Sequence, residues 1–227
     1  MTVDSRQSTE LLVFLKAPRE GQVKTRLAAA VGEAAAAGLY RALAEQVLRA
    51  TAPEGHYQRV VCFDPPDARA EIGAWLGAET LAPQAEGDLG ARLAAAFSGA
   101  FARGASRVAV IGTDAPALSQ GRVVQALRGL DDHDVVLGPA RDGGYYLLAL
   151  DRPRPELFQA VPWSTAGVLE VTLARAATLG LSVMLLAAEA DVDTLDDVRA
   201  EWEALRPLLR GSGLEEVFAR AVYHQRA

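Results

Sequence analysis

The sequence predicts a single three-layer α/β/α domain on a mostly parallel central sheet, and three observations carry that reading. Short β-rich runs alternate with longer segments of helical period, as successive βα units do. The run RVAVIG at 107–112 is apolar without interruption, the pattern of a strand covered on both faces. A chain of 227 residues, half of them apolar, suffices for one such domain with a sizeable core.

Taken in order, LLVFL at 11–15 reads as the first strand. A helix is expected from near Val23 to before Pro53, where Leu39, Leu43 and Val47 recur at i, i+4 and i+8. RVVCF at 59–63 is a second strand, and the segment from Pro66 through Leu76 a helix. Residues 88–103 are helical again, and 107–112 form the next strand. Ser119 has the chemistry of an N-cap for a helix reaching about Leu130. DVVLGPA and GGYYLLAL, parted only by Arg141 and Asp142, predict strands near 134–138 and 144–150 with a tight connection. LSVMLLA at 181–187 is a late strand. Thr194 and Asp197 resemble a capping box opening a helix toward Arg206, and an amphipathic helix is expected over 213–223. Residues 1–10, MTVDSRQSTE, are expected to be a poorly ordered tail, with 11–227 as the domain.

Composition excludes several functions. A net charge of −6 argues against a broad nucleic-acid-binding face. Cys62 is the only cysteine, so no internal disulfide or thiolate zinc site exists, and its place in RVVCF marks an inert core thiol. His56, His133 and His224 lack ligand spacing. The polar first ten residues lack the apolar core of a signal peptide, and no apolar run reaches the roughly 18 residues of a membrane span. A soluble cytoplasmic protein is expected; oligomeric state is not legible.

Ligands of such sheets sit outside the carboxyl ends of the strands. After the first strand comes APREGQVKTR, which holds Lys16's neighbour Lys24, the only other lysine in a chain with 21 arginines. Lys16, Arg19, Lys24 and Arg26 face a single acid there, Glu20. Cations beside a helix start suit phosphate oxygens. A Walker A loop is excluded, because it would need glycine at Pro18 and Val23. A solvated basic turn is the plain alternative.

The acids lie at other strand ends. Asp114 ends VAVIGTDAP, and Asp191 and Asp193 follow the late strand, on one face if the chain stays extended. Together they could hold one hard divalent cation, Mg²⁺ or Mn²⁺. Singly, Asp114 also suits an Asx turn before Pro116, and Asp193 or Thr194 the cap of the next helix. Gln84 and Gly87 could meet a base edge, while Asp88 suits a helix cap. Asp142, Gly143 and Gly144 could approach a substrate or simply turn a hairpin, and Trp163 could stack on an acceptor or fill the core.

The motifs K-x-P-x-x-G-x-V-K-T-R-L, Q-x-x-G-D-L-G-x-R, G-T-D-x-P, D-G-G-Y-Y-L, P-W-S-T and D-V-D-T-x-x-D-V occur in this order from residue 16 to 198. This set resembles the bacterial GT-A-fold family of glycosyltransferases, also described as radical-SAM/selenodomain-associated transferases. More distantly it is similar to nucleotidyltransferases such as 2-phospholactate guanylyltransferases. The resemblance implies a nucleotide-diphospho-sugar transferase fold and a transferase taking a nucleotide sugar or nucleoside triphosphate and a small-molecule acceptor. It implies nucleotide phosphates at Lys24 and Arg26 and a base near Gln84 and Gly87; Lys16 and Asp88, beside them in the sequence motifs, are expected as further nucleotide contacts. It implies metal ligation by Asp114 and Asp193, to which the spacing adds Asp191; catalytic roles are expected for Lys24 and Arg26 and, as a general base or else only a turn residue, Asp142. Gly143, Gly144 and Trp163 would lie on the acceptor side. Asp114 stands in T-D-A where many sugar transferases of this fold carry Asp-x-Asp, so nucleotidyl transfer stands as the alternative to glycosyl transfer. A catalytically silent nucleotide-binding module is the third reading.

Overall fold

The computed structural model describes residues 8–223. Seven strands form one sheet in the order β3-β2-β1-β4-β6-β5-β7. They are β1 (Ser8–Lys16), β2 (Gln58–Asp64), β3 (Leu81–Pro83), β4 (Ala105–Ile111), β5 (Val135–Pro139), β6 (Tyr145–Leu150) and β7 (Val183–Leu185). β6 alone runs antiparallel to its neighbours β4 and β5; every other pairing is parallel. The expected three-layer, mostly parallel architecture is therefore present.

Side-chain alternation along the strands builds the two cores. Leu11, Val13 and Leu15 of β1 face one side with Val61 and Phe63 of β2 and Ala109 and Ile111 of β4. They pack under α2 (Glu33–Ala50), α3 (Arg69–Leu76) and α5 (Gln120–Gly129). Leu12, Cys62, Val108 and Val110 face the other side, against α4 (Leu89–Ala102) and α6 (Val168–Thr178). A third cluster joins α1 (Thr25–Val31) and α2 to the carboxyl-terminal helices α7 (Leu195–Ala200), α8 (Trp202–Leu205) and α9 (Leu214–Tyr223).

Most expected elements are found, and the differences have physical causes. The single helix expected after Val23 is two, because Gly32 at φ 88° and ψ 155° ends α1 and starts α2 at a new angle. β1 begins at Ser8, so the expected tail is shorter on its carboxyl side; residues 1–7 lie outside the described residues, as does His224. The late strand shrinks to Val183–Leu185, and residues 186–193 run on as a loop held by an isolated parallel bridge between Ala140 and Glu189. β3, a three-residue edge strand containing Pro83, and α6 were not foreseen. Both expected caps form: the Ser119 side chain accepts from the Arg122 N–H, and Thr194 and Asp197 close a reciprocal capping box. Among the described residues no helix is long and apolar enough to cross a membrane.

Candidate active site

The parallel strands β1, β2, β3 and β4 all end on one edge of the sheet, and the cleft opens there. It encloses about 840 Å³ and is lined by residues at or just past these ends: Lys16 at the end of β1, Asp64 at the end of β2, Gln84 past β3, and Gly112 to Asp114 past β4. β1 and β4 are neighbours although β2 and β3 separate them in the chain. The chain changes direction across the sheet between them, which is where an α/β sheet leaves a crevice.

Lys24 is the hub. Its Nζ lies 2.6 Å from Asp114 Oδ1 and 2.6 Å from Asp193 Oδ1, with only 3 % of its side chain exposed. Arg26, largely exposed, donates to the second oxygen of Asp193 at 2.9 Å. Lys24 holds a left-handed backbone at φ 48° and ψ 43° in front of α1, an uncommon conformation for a side-chain-bearing residue that turns its ammonium inward. Burial pulls the ammonium toward neutrality, but the Asp114 and Asp193 carboxylates outweigh it and raise its pKa above the usual lysine value. Asp193 answers in kind: burial opposes its charge, yet Lys24 and Arg26 hold its carboxyl below the usual range.

Asp191 sits in the opposite situation. Burial first, then the carboxylates of Asp114, Asp142 and Asp193, push its pKa up to about 7, with Lys24 opposing. Its Oδ1 is buried with no hydrogen-bond partner. Val192, fully buried between the two acids, donates its N–H to the Asp114 carbonyl at 3.0 Å and so ties the 186–193 loop to the end of β4. Asp191 and Asp193 thus both line the cleft from a loop, without the strand the sequence suggested.

The remaining expected residues divide between cleft and scaffold. Gln84 lines the cleft, but its amide donates to the Leu15 and Cys62 carbonyls at 3.2 and 2.8 Å and accepts from Arg92, so it welds the ends of β1 and β2. Gly87 lines the cleft at φ 105°. Asp88 is the N-cap of α4, accepting from the Ala91 N–H, and is not part of the cleft wall. Asp142 and Gly144 line it at the β5–β6 turn, where the Asp142 carboxylate accepts from the Gly144 N–H at 2.9 Å. Gly143 lies behind, with its φ at 92° and a Cβ position only 2.0 Å from the Ala166 carbonyl oxygen, so no other residue fits without moving the 163–166 segment. Trp163 lines the cleft, edge-on to Tyr145 and seated on Gly90, whose Cβ would approach the indole Nε1 to 2.7 Å.

Tyr40, Arg92 and Asp64 also line the cleft, and the sequence reading did not single them out. Tyr40, buried on α2, accepts from the Lys16 N–H at 2.7 Å and hydrogen-bonds Thr113, pinning the end of β1 to the loop after β4. Arg92 pairs with Asp64 at 3.0 Å and donates to the Gly87 carbonyl. Asp64 stands at a strand end, the signal that singled out Asp114. Tyr40 sits in an ordinary apolar helix stripe, and nothing in its spacing marks it.

A second hollow of about 320 Å³ adjoins the first, sharing Arg26, Asp142, Asp191 and Asp193 with it. Among the described residues no three His, Cys, Asp or Glu side chains are arranged to hold a metal ion as they stand. The donor set is nevertheless chemically suited to one: oxygen ligands only, one of them the unpartnered Asp191 Oδ1.

The fold and site define a class. A crystal structure of a candidate nucleotide-diphospho-sugar transferase from Desulfovibrio desulfuricans G20 is 33% identical in sequence, with 93% of this chain and 94% of that chain covered at a TM-score of 0.82. CMP:2-keto-3-deoxy-manno-octonic acid synthetase complexed with CTP matches at 16% identity, 86% and 98% coverage and a TM-score of 0.54. Rv0371c from Mycobacterium tuberculosis H37Rv, in complex with manganese, matches at 17% identity, 86% and 98% coverage and a TM-score of 0.51. The last two share the fold. No curated protein matches the sequence significantly. The molecule has the nucleotide-diphospho-sugar transferase fold. Within it, the chain belongs to the family described as uncharacterized protein conserved in bacteria, DUF2064, whose profile matches residues 47–165.

Proposed function

We propose that this protein is a divalent-cation-dependent transferase that takes a sugar from a nucleotide-activated donor and passes it to a small-molecule acceptor. The observation that carries the reading is the meeting of Lys24 and Arg26 with Asp114 and Asp193 in one cleft, from chain segments about 90 and 170 residues apart in sequence. The relative at 33% identity, named for nucleotide-diphospho-sugar transfer, supports sugar as the group moved. The manganese held by a protein of the same fold supports the cation.

The residues fit their parts. Asp114 and Asp191, with Asp193 beside them, would hold Mg²⁺ or Mn²⁺. When bound, such an ion neutralises charge developing on a leaving diphosphate. Arg26, exposed at the cleft mouth, can grip two phosphate oxygens at once, and Lys16 adds a second cation on the same wall. Asp142, steadied by the Gly144 N–H, takes the proton from the acceptor hydroxyl as the new bond forms. Trp163 and Tyr145 give the acceptor end an aromatic wall.

Nucleotidyl transfer is the second reading, favoured by one observation: Asp114 follows Gly112 and Thr113, with no Asp-x-Asp. The two part on products. With Mg²⁺ or Mn²⁺ present, a nucleotide sugar yields a nucleoside diphosphate in the first reading. Release of pyrophosphate from a nucleoside triphosphate instead establishes the second, and neither product from any nucleotide defeats both.

A further inference from the structure

Two of the three acids assigned to a metal ion, Asp114 and Asp193, are already held by a lysine. Lys24 Nζ is 2.6 Å from both Asp114 Oδ1 and Asp193 Oδ1, and its side chain is almost closed to water. Arg26 reaches Asp193 only, at its other oxygen. A magnesium-sized ion sits about 2.0–2.1 Å from its oxygens. An ion on Asp114 and the ammonium on the same carboxylate would be like charges a few ångströms apart, in a place where water screens them poorly. Without either, Asp193 would keep Arg26, but Asp114, whose Oδ1 is closed to water, would lose the cation against it. Cation and ammonium on Asp114 therefore disfavour one another.

We propose that Lys24 is a built-in counter-cation that competes with a divalent cation for Asp114, and that binding of the cation releases the lysine ammonium toward phosphate oxygens in the same cleft. The inference rests on the reading that Asp114 holds a divalent cation. It explains how one lysine can be sealed against two acids here and still serve a nucleotide. The acids keep a positive partner at every stage, and the phosphate grip forms only once the cation has arrived. Since coupling between two bound species is reciprocal, whatever Lys24 costs the cation, the cation costs Lys24's hold on Asp114.

The lysine content makes the exchange directly visible. Lys16 and Lys24 are the only lysines, so reductive methylation with ¹³C-formaldehyde gives two side-chain signals, assigned with Lys16→Arg. In EDTA, Lys16 should label fast and Lys24 at least about tenfold more slowly; Mg²⁺ should bring Lys24 close to the rate of Lys16, within the roughly 5–150-fold range of ordinary site coupling. In parallel, Mn²⁺ titrations followed by electron paramagnetic resonance compare the parent with Lys24→Gln and Arg26→Gln. Lys24→Gln should bind Mn²⁺ roughly tenfold more tightly, whereas Arg26→Gln, which leaves Asp114 untouched, should change affinity by less than about threefold. If Mn²⁺ binds but Lys24 labelling ignores it, or Lys24→Gln binds no better than the parent, the exchange is wrong and the cation site survives. If Mn²⁺ binds to neither protein, the cation reading falls as well. Should Lys24→Gln fail to fold, the labelling of the parent decides alone.

Discussion

At the residue scale, environment decides what each ionisable group can do. Cys62 is the plainest case. It is 5 % exposed, and burial, partly opposed by Arg103 and reinforced by Glu10, pushes its thiol up to about 12. At pH 8 the thiol stays protonated, so 5,5′-dithiobis(2-nitrobenzoate) should report almost no thiol in the native protein and one per chain in guanidinium; rapid native reaction would contradict the packing. That an inert thiol lay in RVVCF was legible, because an uninterrupted apolar run has no water to offer it. The roles of Lys24 and Asp193 were legible only in part. Their positions after strands marked them for the cleft, but no spacing rule says that a lysine and an aspartate 169 residues apart will form an ion pair.

At the scale of elements, two joints matter, one at the edge of the sheet and one beside the cleft. The first fixes edge strand β7. Asp134, just ahead of β5, accepts from the Ser182 N–H and hydroxyl at 2.9 and 2.8 Å, and Arg154 donates to its other oxygen at 2.6 Å. The Ser182 bonds, backbone first, hold its pKa below the usual carboxylate value. Its contribution is therefore present above the unfolded carboxylate pKa and is lost as pH falls through the lowered native one. Asp134→Asn should cost about 1 kcal/mol at pH 7, or about 2–4 °C in Tm, with the gap to the parent closing below about pH 4. A gap that persists at low pH would show that charge is not its source.

The second joint closes the end of the cleft walled by Trp163. The 163–166 segment rests on Gly143 and Gly90, neither of which has room for a Cβ. Gly143→Ala meets backbone, the Ala166 carbonyl, as well as a disfavoured φ, and should lower stability by more than about 1 kcal/mol. Gly90→Ala meets the Trp163 indole and should shift tryptophan emission to the red while lowering acceptor turnover more than nucleotide affinity. An unchanged emission spectrum would remove Trp163 from Gly90. In the sequence these glycines read as turn or helix-start residues. Their partners are brought in by α6, an element whose start lacks a side-chain cap and whose apolar pattern gave no strand or helix signal strong enough to place it.

At the scale of the molecule, the architecture followed from two patterns: continuous apolar strands, and helices punctuated by caps such as Ser119 and Thr194. What local pattern could not supply was strand order. β6 enters between β4 and β5 and reverses direction, so the Asp142 turn comes to lie over the same edge as Asp114. The 186–193 loop is then pulled across by Val192 to complete the acid group. A site made from the ends of β1, β4 and β5 and from a loop after β7 exists only when the whole sheet is formed.

The central claim is that this cleft grips a nucleotide's phosphates between Lys24, Arg26 and a divalent cation held at Asp114. Isothermal titration of ADP, CDP, GDP and UDP into the parent and Asp114→Asn, each with Mn²⁺ and with EDTA, tests it most directly. At least one nucleotide should bind the parent with Mn²⁺ and lose roughly tenfold or more in affinity both in EDTA and in Asp114→Asn, a coupling of about 1.4 kcal/mol or greater. No binding by any of the four, or binding indifferent to both the cation and Asp114, would contradict the claim.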